Sequence, residues 1–241
     1  MRAAAVVRIV LGLLTVTPAT QPAAQISGDV AVLSDYRYRG ISLSGDRPAA
    51  QAGVGYDTRS GVFAGVFAST LDARFIASKS LLQAYAGYAR RSGESSWDAG
   101  ISQTAFPGAR DYDFTEVHVG WTRDRWRLAA HYAPDYFGRD LRAAYVELNV
   151  AWPLEVALPA DIRLGLVGHA GLLFTRTALE TYPPTGPEQS RRVDGKAGVA
   201  FDRRGTKLEV AWVGSDSAAG IYPIRRESRR HVVVATLSHA F

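Results

Sequence analysis

Cysteine is absent from the 241 residues of this chain. Its absence excludes a disulfide framework, a thiolate nucleophile and a metal site built on cysteine. It also excludes a lipoprotein anchored through an N-terminal cysteine. Any stability or chemistry of the chain must therefore come from hydrogen bonds, packing and the remaining side chains.

The net charge is small, and long apolar runs are scarce. The formal net charge is +5 and is scattered along the chain, which argues against a nucleic-acid partner. The apolar run 9–16 is too short for a membrane-spanning helix, which needs roughly 20 residues, and no second long run follows. If the chain lies in a membrane, it must do so as a closed β-barrel, because only helices and closed barrels satisfy every backbone group in lipid.

The N-terminal residues have the layout of a secretory signal peptide. Arg2 and Arg8 precede the apolar run, and small residues follow it up to Ala24. We therefore predict a signal peptide over residues 1–24, cleaved after Ala24 with Ala19 as the alternative, and one exported domain over residues 25–241. Export is a second argument against nucleic-acid binding.

The C-terminal sequence HVVVATLSHAF alternates apolar and polar positions and ends on Phe241. This pattern resembles the C-terminal signal by which Gram-negative outer-membrane barrels are recognised by the barrel-assembly machinery. His239 shares a face with Leu237 and Phe241, so we expect it at the periplasmic interface, where its ring stays hydrated.

Between the two ends, alternating segments of about 8–12 residues are separated by turn residues. They predict an all-β fold, a transmembrane antiparallel up-and-down β-barrel of about 12 strands. The predicted strands are 28–38, 49–58, 62–70, 80–91, 96–106, 112–122, 126–136, 141–151, 161–173, 192–202, 206–214 and 229–241.

Alternation alone is equally compatible with a soluble β-sandwich, so the connections and the tryptophans decide. Connections alternate between short turns and longer loops, as periplasmic turns and extracellular loops do. Five tryptophans lie near strand ends on apolar faces, the level at which aromatic girdles form in membranes. They are Trp97, Trp121, Trp126, Trp152 and Trp212.

The segment Ser34–Ser42, SDYRYRGIS, resembles the opening motif of the gcw_chp family, also called TorF-type porins. Later segments, Val62-Phe63-Ala64-Gly65 and Ala84–Tyr88, resemble its "FAG" and "YAG" strands. The resemblance extends to the C-terminal Phe241, although the 175–191 loop does not fit it. It implies an outer-membrane barrel of the porin type, with no particular transported solute.

Alternation in the motif places Asp35, Arg37 and Arg39 on one face, opposite Tyr36 and Tyr38. An arginine at the bilayer midplane costs about 2–4 kcal/mol, so we expect the charged face in the lumen and the tyrosines at the outer interface. The two arginines then either form a constriction that favours anions, or pair with charges on neighbouring strands such as Glu209 or Asp57.

The same reasoning gives a set of charged or histidine side chains on predicted lumen faces. The predicted pore-lining residues are Asp35, Arg37, Arg39, Glu116, His118, Arg127, His131, Glu147, Arg163, His169, Asp194, Lys196, Lys207 and Glu209.

Two functions remain open: a narrow passive channel for small hydrophilic solutes, and a non-conducting structural or surface-interaction barrel. Twelve strands lie between the filled eight-stranded barrel and the open pores of 16–18 strands. An enzyme is not expected, because no GxSxG motif or triad accompanies the three histidines, and no cofactor or metal site is predicted.

The expected partners follow from the barrel. They are outer-membrane lipid and lipopolysaccharide, the barrel-assembly machinery and small solutes. A cluster of arginines near the last long loop could contact lipopolysaccharide phosphates or could simply be solvated. Its members are Arg225, Arg226, Arg229 and Arg230.

Overall fold

The computed structural model describes residues 25–73, 78–156, 158–177, 189–216 and 229–241. The predicted signal peptide, and Arg225 and Arg226, lie outside the described residues. None of the helices in the described part of the chain is long and apolar enough to cross a membrane.

The described chain is almost entirely β-strand. The strands are β1 (Gln25–Leu33), β2 (Arg37–Tyr38), β3 (Ile41–Ser42), β4 (Ala49–Asp57), β5 (Val62–Thr70), β6 (Ser80–Ser92), β7 (Ser95–Ala105), β8 (Phe114–Arg123), β9 (Trp126–Ala133), β10 (Leu141–Leu154), β11 (Arg163–Thr177), β12 (Gln189–Arg203), β13 (Thr206–Ser215) and β14 (His231–Ala240). Short 3-10 helices cover Arg110–Tyr112, Tyr136–Gly138 and Pro159–Asp161.

Twelve of these strands form one closed antiparallel barrel, in which β1 and β4 to β14 each pair with the next strand along the chain. The ring closes between β1 and β14. There the Gly28 amide donates to the Phe241 carbonyl at 3.0 Å, and the Phe241 amide donates to the Gly28 carbonyl at 2.9 Å. The predicted fold class and the predicted number of strands are confirmed.

The two faces of the barrel wall have opposite chemistry, as β13 illustrates. Trp212 points outward with 45% of its surface exposed, whereas Lys207 and Glu209 point inward and are buried. A soluble sandwich buries its apolar face; here the apolar face is outside and the charged face inside, as in a barrel surrounded by lipid.

The two rims of the barrel differ in the length of their connections. One rim, the short-turn rim, carries the turns 58–61, 93–94, 124–125 and 204–205 and the longer connection 155–162. Gln25, the first described residue, and Phe241 lie at the same rim. The opposite rim, the long-loop rim, carries the longer connections. These span 34–48, 71–79, 106–113, 134–140, 178–188 and 216–230. In membrane barrels, short turns are periplasmic and longer loops are extracellular.

The first predicted strand is wrong at its end. β1 stops at Leu33, and the chain then leaves the wall and folds into the barrel. Tyr36 and Tyr38, expected at the outer interface, are only 2% and 4% exposed and belong to an interior apolar cluster. Alternation continues through residues 34–38, but the segment has left the wall, and Tyr38 packs edge-on against Phe137 with ring centroids 6.3 Å apart.

Candidate functional site in the barrel interior

Strands β2 and β3 form a hairpin inside the barrel. Arg37 pairs with Ser42 and Tyr38 with Ile41, and within the described residues neither strand pairs with the barrel wall. The turn residues Arg39 and Gly40 both have positive φ, 49° and 78°, as a two-residue type I′ turn requires. Glycine is the residue that adopts this conformation at least cost.

The hairpin lies between opposite walls of the lumen. A Cβ added to Gly40 would lie 2.7 Å from the Asp194 Cβ and 2.9 Å from the Ser215 Cβ, on β12 and β13. On the other side, the Arg39 side chain reaches Glu116 on β8. The hairpin therefore crosses the interior of the barrel.

An apolar cluster surrounds the hairpin in the long-loop half of the barrel. Phe137 is fully buried, with ring centroids 4.8 Å from both Phe114 and Tyr136 and 5.5 Å from Phe106. The cluster comprises Tyr36, Tyr38, Ile41, Leu43, Ala49, Phe67, Leu81, Phe106, Phe114, Ala133, Tyr136, Phe137, Ala143, Tyr145 and Leu173. Because this cluster is buried inside the barrel wall, its side chains fill the long-loop half of the lumen.

Arg37 holds the hairpin at its base. Its guanidinium donates to the Asp35 carboxylate at 2.7 Å and to the Asp46 carboxylate at 2.8 Å. It also donates to the backbone carbonyls of Gly40 and Arg229, at 2.9 Å and 2.7 Å. Charge-assisted bonds of this kind are roughly twice as strong as neutral ones, so Arg37 ties the hairpin to the neighbouring long loop.

Arg39 holds the hairpin at its tip. It donates to Glu116 Oε2 at 2.7 Å and to the Tyr136 hydroxyl at 2.9 Å. Its guanidinium carbon lies 4.8, 5.3 and 4.2 Å from the ring centroids of Tyr38, Tyr136 and Tyr145. Three aromatic rings at this distance stabilise a cation that has been removed from water.

Histidines continue the polar network across neighbouring strands. His131 contacts Glu116 through Nδ1 at 3.0 Å and Glu147 through Nε2 at 3.5 Å. His169 contacts Asp194 through Nε2 at 2.9 Å and Asn149 through Nδ1 at 2.9 Å. These contacts arrange acidic and imidazole groups in turn along the interior wall.

Tyr145 joins this network from β10. Its hydroxyl lies 2.9 Å from His169 Nε2 and donates to Asp194 at 3.1 Å. A Cβ added to Gly171 would lie 2.0 Å from that hydroxyl. Glycine at 171 therefore leaves the space that the phenol occupies.

In each of two further groups, acidic and basic side chains compensate one another. Asp98 accepts from Arg127 at 2.6 and 3.0 Å and lies 3.3 Å from His118 Nε2. On the opposite wall, Glu209 lies 2.8 Å from the Lys196 ammonium and 2.7 Å from that of Lys207. Interior charges of both signs are thus paired, which limits the cost of burying them.

A cavity of about 190 Å³ adjoins the hairpin tip. Its wall extends from Arg39 to side chains near the short-turn rim and carries both acidic and basic groups. These groups include Arg39, Arg127, Glu147, Lys196, Lys207 and Glu209. The cavity wall therefore carries paired charges, whereas the apolar cluster lies in the long-loop half of the barrel.

The predicted pore-lining residues fall into three positions. Asp35, Arg37 and Arg39 lie on or beside the hairpin. Arg163 lies at the short-turn rim with its side chain 77% exposed and paired with Asp202 at 2.9 Å. The others point inward from the wall: Glu116, His118, Arg127, His131, Glu147, His169, Asp194, Lys196, Lys207 and Glu209.

Several interior residues were not predicted as candidates, among them Asp98, Tyr136, Tyr145 and Asn149. Tyr145 and Asn149 share the face of Glu147, so a strict period of two would have selected them. Asp98 likewise alternates inward within β7. Tyr136 lies in a loop, where no periodicity indicates its orientation.

A hydrolase triad would need a histidine hydrogen-bonded to a nucleophilic hydroxyl. Within the described residues, the interior histidines contact carboxylates, a phenol, an amide and one another, and none is hydrogen-bonded to a serine or threonine hydroxyl. In the same part of the chain no group of three or more His, Asp or Glu side chains is placed to hold a metal ion.

Solved outer-membrane barrels are similar in fold. The KdgM porin aligns with a TM-score of 0.52 at 11% identity, over 89% of this chain and 99% of its own. OprD from Pseudomonas aeruginosa aligns with a TM-score of 0.38 at 10% identity, over 81% of this chain and 59% of its own. The β domain of the Bordetella autotransporter BrkA gives 0.39 at 12% identity, over 91% and 99%. Identities this low show the fold alone, and the KdgM porin carries that conclusion.

No curated protein matches the sequence. A family model described as "Bacterial protein of unknown function (Gcw_chp)" matches residues 18–241. This confirms the resemblance seen in the opening motif, while the description contains neither the TorF name nor a transport activity. The chain, an outer-membrane-type barrel of twelve strands, belongs to the Gcw_chp family of bacterial proteins.

Proposed function

We propose that this protein is an outer-membrane channel for small hydrophilic solutes, and that the hairpin β2–β3 closes it on the extracellular side. The similarity of the barrel to the KdgM porin supports a barrel that spans the membrane. The cavity, whose wall carries charged side chains of both signs, supports a route for hydrated solutes in the short-turn half of the interior.

The hairpin carries the proposal. It lies in the lumen without pairing to the described wall, so it can move without breaking the barrel's hydrogen-bond ladder. A barrel that served only as a scaffold could fill its interior with wall side chains, as eight-stranded barrels do. A separate occluding element beside a cavity with charged side chains in its wall supports a closed channel.

Arg37 and Arg39 act in this proposal as anchors of the hairpin. Each is paired with carboxylates, Arg37 with Asp35 and Asp46, and Arg39 with Glu116. Because these charges are compensated in place, the arginines hold the channel closed instead of attracting anions. The paired charges of the wall favour a weakly selective conduit.

A second function, a non-conducting barrel, is favoured by one observation. The apolar cluster in the long-loop half is tightly packed: Phe106, Phe137, Tyr136 and Leu43 have no exposed surface. If the hairpin is a permanent part of this core, no solute passes.

Single-channel recording in planar bilayers distinguishes the two functions. Leu33 and Ala49 are register partners on β1 and β4, so a four-residue turn can replace residues 34–48 without moving either strand. We expect brief or rare openings from the wild-type protein and frequent, larger openings from this variant.

The matched control replaces the connection 155–162, at the opposite rim, with a turn of the same kind, and should behave as the wild type. Heat-modifiable gel mobility shows whether each protein is folded. Silence from the folded wild-type protein and the folded hairpin variant alike would establish the non-conducting barrel.

A further inference from the structure

Three arginines form a basic patch on the outer surface of the barrel. Arg142, Arg176 and Arg191 are exposed and point outward from the adjacent strands β10, β11 and β12, at the long-loop rim. Arg142 is the register partner of Arg176. Arg191 is the partner of Phe174, two residues before Arg176. The three guanidinium groups therefore share one small area, here called the arginine patch.

The patch is electrostatically unfavourable without a counter-charge. Like charges directly opposite on paired strands are destabilising, and Arg142 and Arg176 stand in that relationship. Within the described part of the chain, neither they nor Arg191 form a hydrogen bond or ion pair with a carboxylate. A bound anion would offset the repulsion among all three.

The position along the strand gives the depth of the patch in the membrane. On the outward face of β10, only apolar residues separate Arg142 from Trp152, and Leu154 follows Trp152. Ten residues at ~3.4 Å each, tilted by ~40°, span about 25 Å, the height of the lipid-facing band of such barrels. Trp152 then lies at the inner interface, and the patch lies at the outer headgroup level.

A depression lies beside the arginines, toward the middle of the lipid-facing band. Ala144 is the register partner of both Tyr132 and Phe174, so a small side chain separates two outward aromatic residues. The depression has a volume of about 600 Å³, and its lining also includes the three arginines. It offers an apolar surface directly below a cationic one.

We propose that the arginine patch and this depression bind a phosphorylated glycolipid of the outer leaflet. The arginines bind its phosphate through paired N–H donors, for which the guanidinium fork is well shaped. The sugar or an acyl chain packs between Tyr132 and Phe174, over Ala144. The site lies on the outer surface and does not depend on the interior acting as a channel.

Native mass spectrometry of the detergent-solubilised full chain tests the site, with bis-phosphorylated lipid A as the probe. The variant Arg142→Gln/Arg176→Gln/Arg191→Gln should weaken lipid A binding by about tenfold or more, since charge-assisted bonds to phosphate are lost. The matched control Arg90→Gln/Arg203→Gln/Arg204→Gln removes three exposed arginines at the short-turn rim and should leave binding unchanged.

Two further arms identify what is recognised. Dephosphorylated lipid A should bind the wild-type protein as weakly as lipid A binds the triple variant. Ala144→Leu, which fills the depression and keeps every arginine, should also weaken lipid A binding. Equal binding of lipid A to folded wild-type protein and triple variant would overturn the proposal, and so would full displacement of lipid A by equimolar inorganic phosphate.

Discussion

The Arg39 guanidinium donates to the Glu116 carboxylate at 2.7 Å, and this contact joins the tip of the interior hairpin to the barrel wall. Both side chains are almost completely buried. Removing one member of a buried ion pair leaves an uncompensated charge, which typically costs about 3–5 kcal/mol. The pair is therefore the contact whose loss should most directly release the hairpin.

Arg39→Ala should increase the open probability in planar bilayers and lower the free energy of unfolding by about 3–5 kcal/mol. Arg39→Ala/Glu116→Gln removes the unpaired carboxylate, so it should recover part of the stability while keeping the raised open probability. Bilayer recording and urea titration provide the two measurements. An Arg39→Ala barrel that is folded, destabilised and no more open than the wild type would contradict the role of Arg39 in closure.

A disulfide between hairpin and wall should lock the channel shut. The chain has no native cysteine, and a Cβ at Gly40 would lie 2.9 Å from the Ser215 Cβ, within about 1 Å of the ~3.8 Å of a disulfide. Gly40→Cys/Ser215→Cys should conduct less under oxidising conditions and recover on reduction. Gly40→Cys alone carries the same backbone strain at residue 40 as the double variant, and neither single variant should respond to reductant. A locked barrel that conducts normally would exclude movement of the hairpin.

Phe137→Ala should open a cavity in the apolar cluster and destabilise the barrel. Large-to-small changes of a buried phenylalanine cost about 3–5 kcal/mol, and Phe137 packs against four aromatic residues of the cluster. Phe174→Ala is the matched control at the same rim, because Phe174 is 46% exposed on the outer face, where lipid can fill the space. Urea titration should show the larger loss for Phe137→Ala; equal losses would mean that the cluster contributes little.

Glu209→Gln should shift ion preference toward anions. The carboxylate compensates both Lys196 and Lys207, so its loss leaves two cations on the cavity wall. The reversal potential in a salt gradient measures the shift, best in the variant that lacks the hairpin. Lys207→Gln should shift the preference the other way, and a cation-ward shift from Glu209→Gln would show that these residues do not line the conducting path.

We propose that the C-terminal strand is the element that the barrel-assembly machinery recognises. Phe241 is 72% exposed on the outer face and its backbone closes the ring against Gly28. Phe241→Ala should reduce the amount of folded barrel in the outer membrane several-fold, measured by heat-modifiable mobility. Phe201→Ala removes another outward phenylalanine near the same rim and serves as the control; equal yields from both variants would argue against a specific signal.

Most of the wall could be predicted because its determinants are local. The alternation of Leu208, Val210 and Trp212 with Lys207 and Glu209 reflects the period of two that every strand imposes. Turn residues mark strand ends in the same local way. His239, expected on the outward face, lies there, beside Thr206 and the ring of Phe241.

The hairpin shows where local patterns stop being informative. Residues Asp35–Arg39 continue the alternation of β1, so the local pattern predicts that the strand continues through them. Only the closed barrel brings Phe106, Phe114 and Phe137 together as an alternative apolar environment for Tyr36 and Tyr38.

By itself, the sequence determined a cysteine-free chain with about twelve amphipathic strands and the residues that face each side of them. The tertiary structure alone decided that the opening motif occupies the lumen, that Arg39 pairs with Glu116, and that Arg142, Arg176 and Arg191 share one outer patch. The physical reason is separation along the chain. A strand's faces follow from neighbouring residues, whereas these contacts join residues far apart in sequence and exist only once the ring has closed.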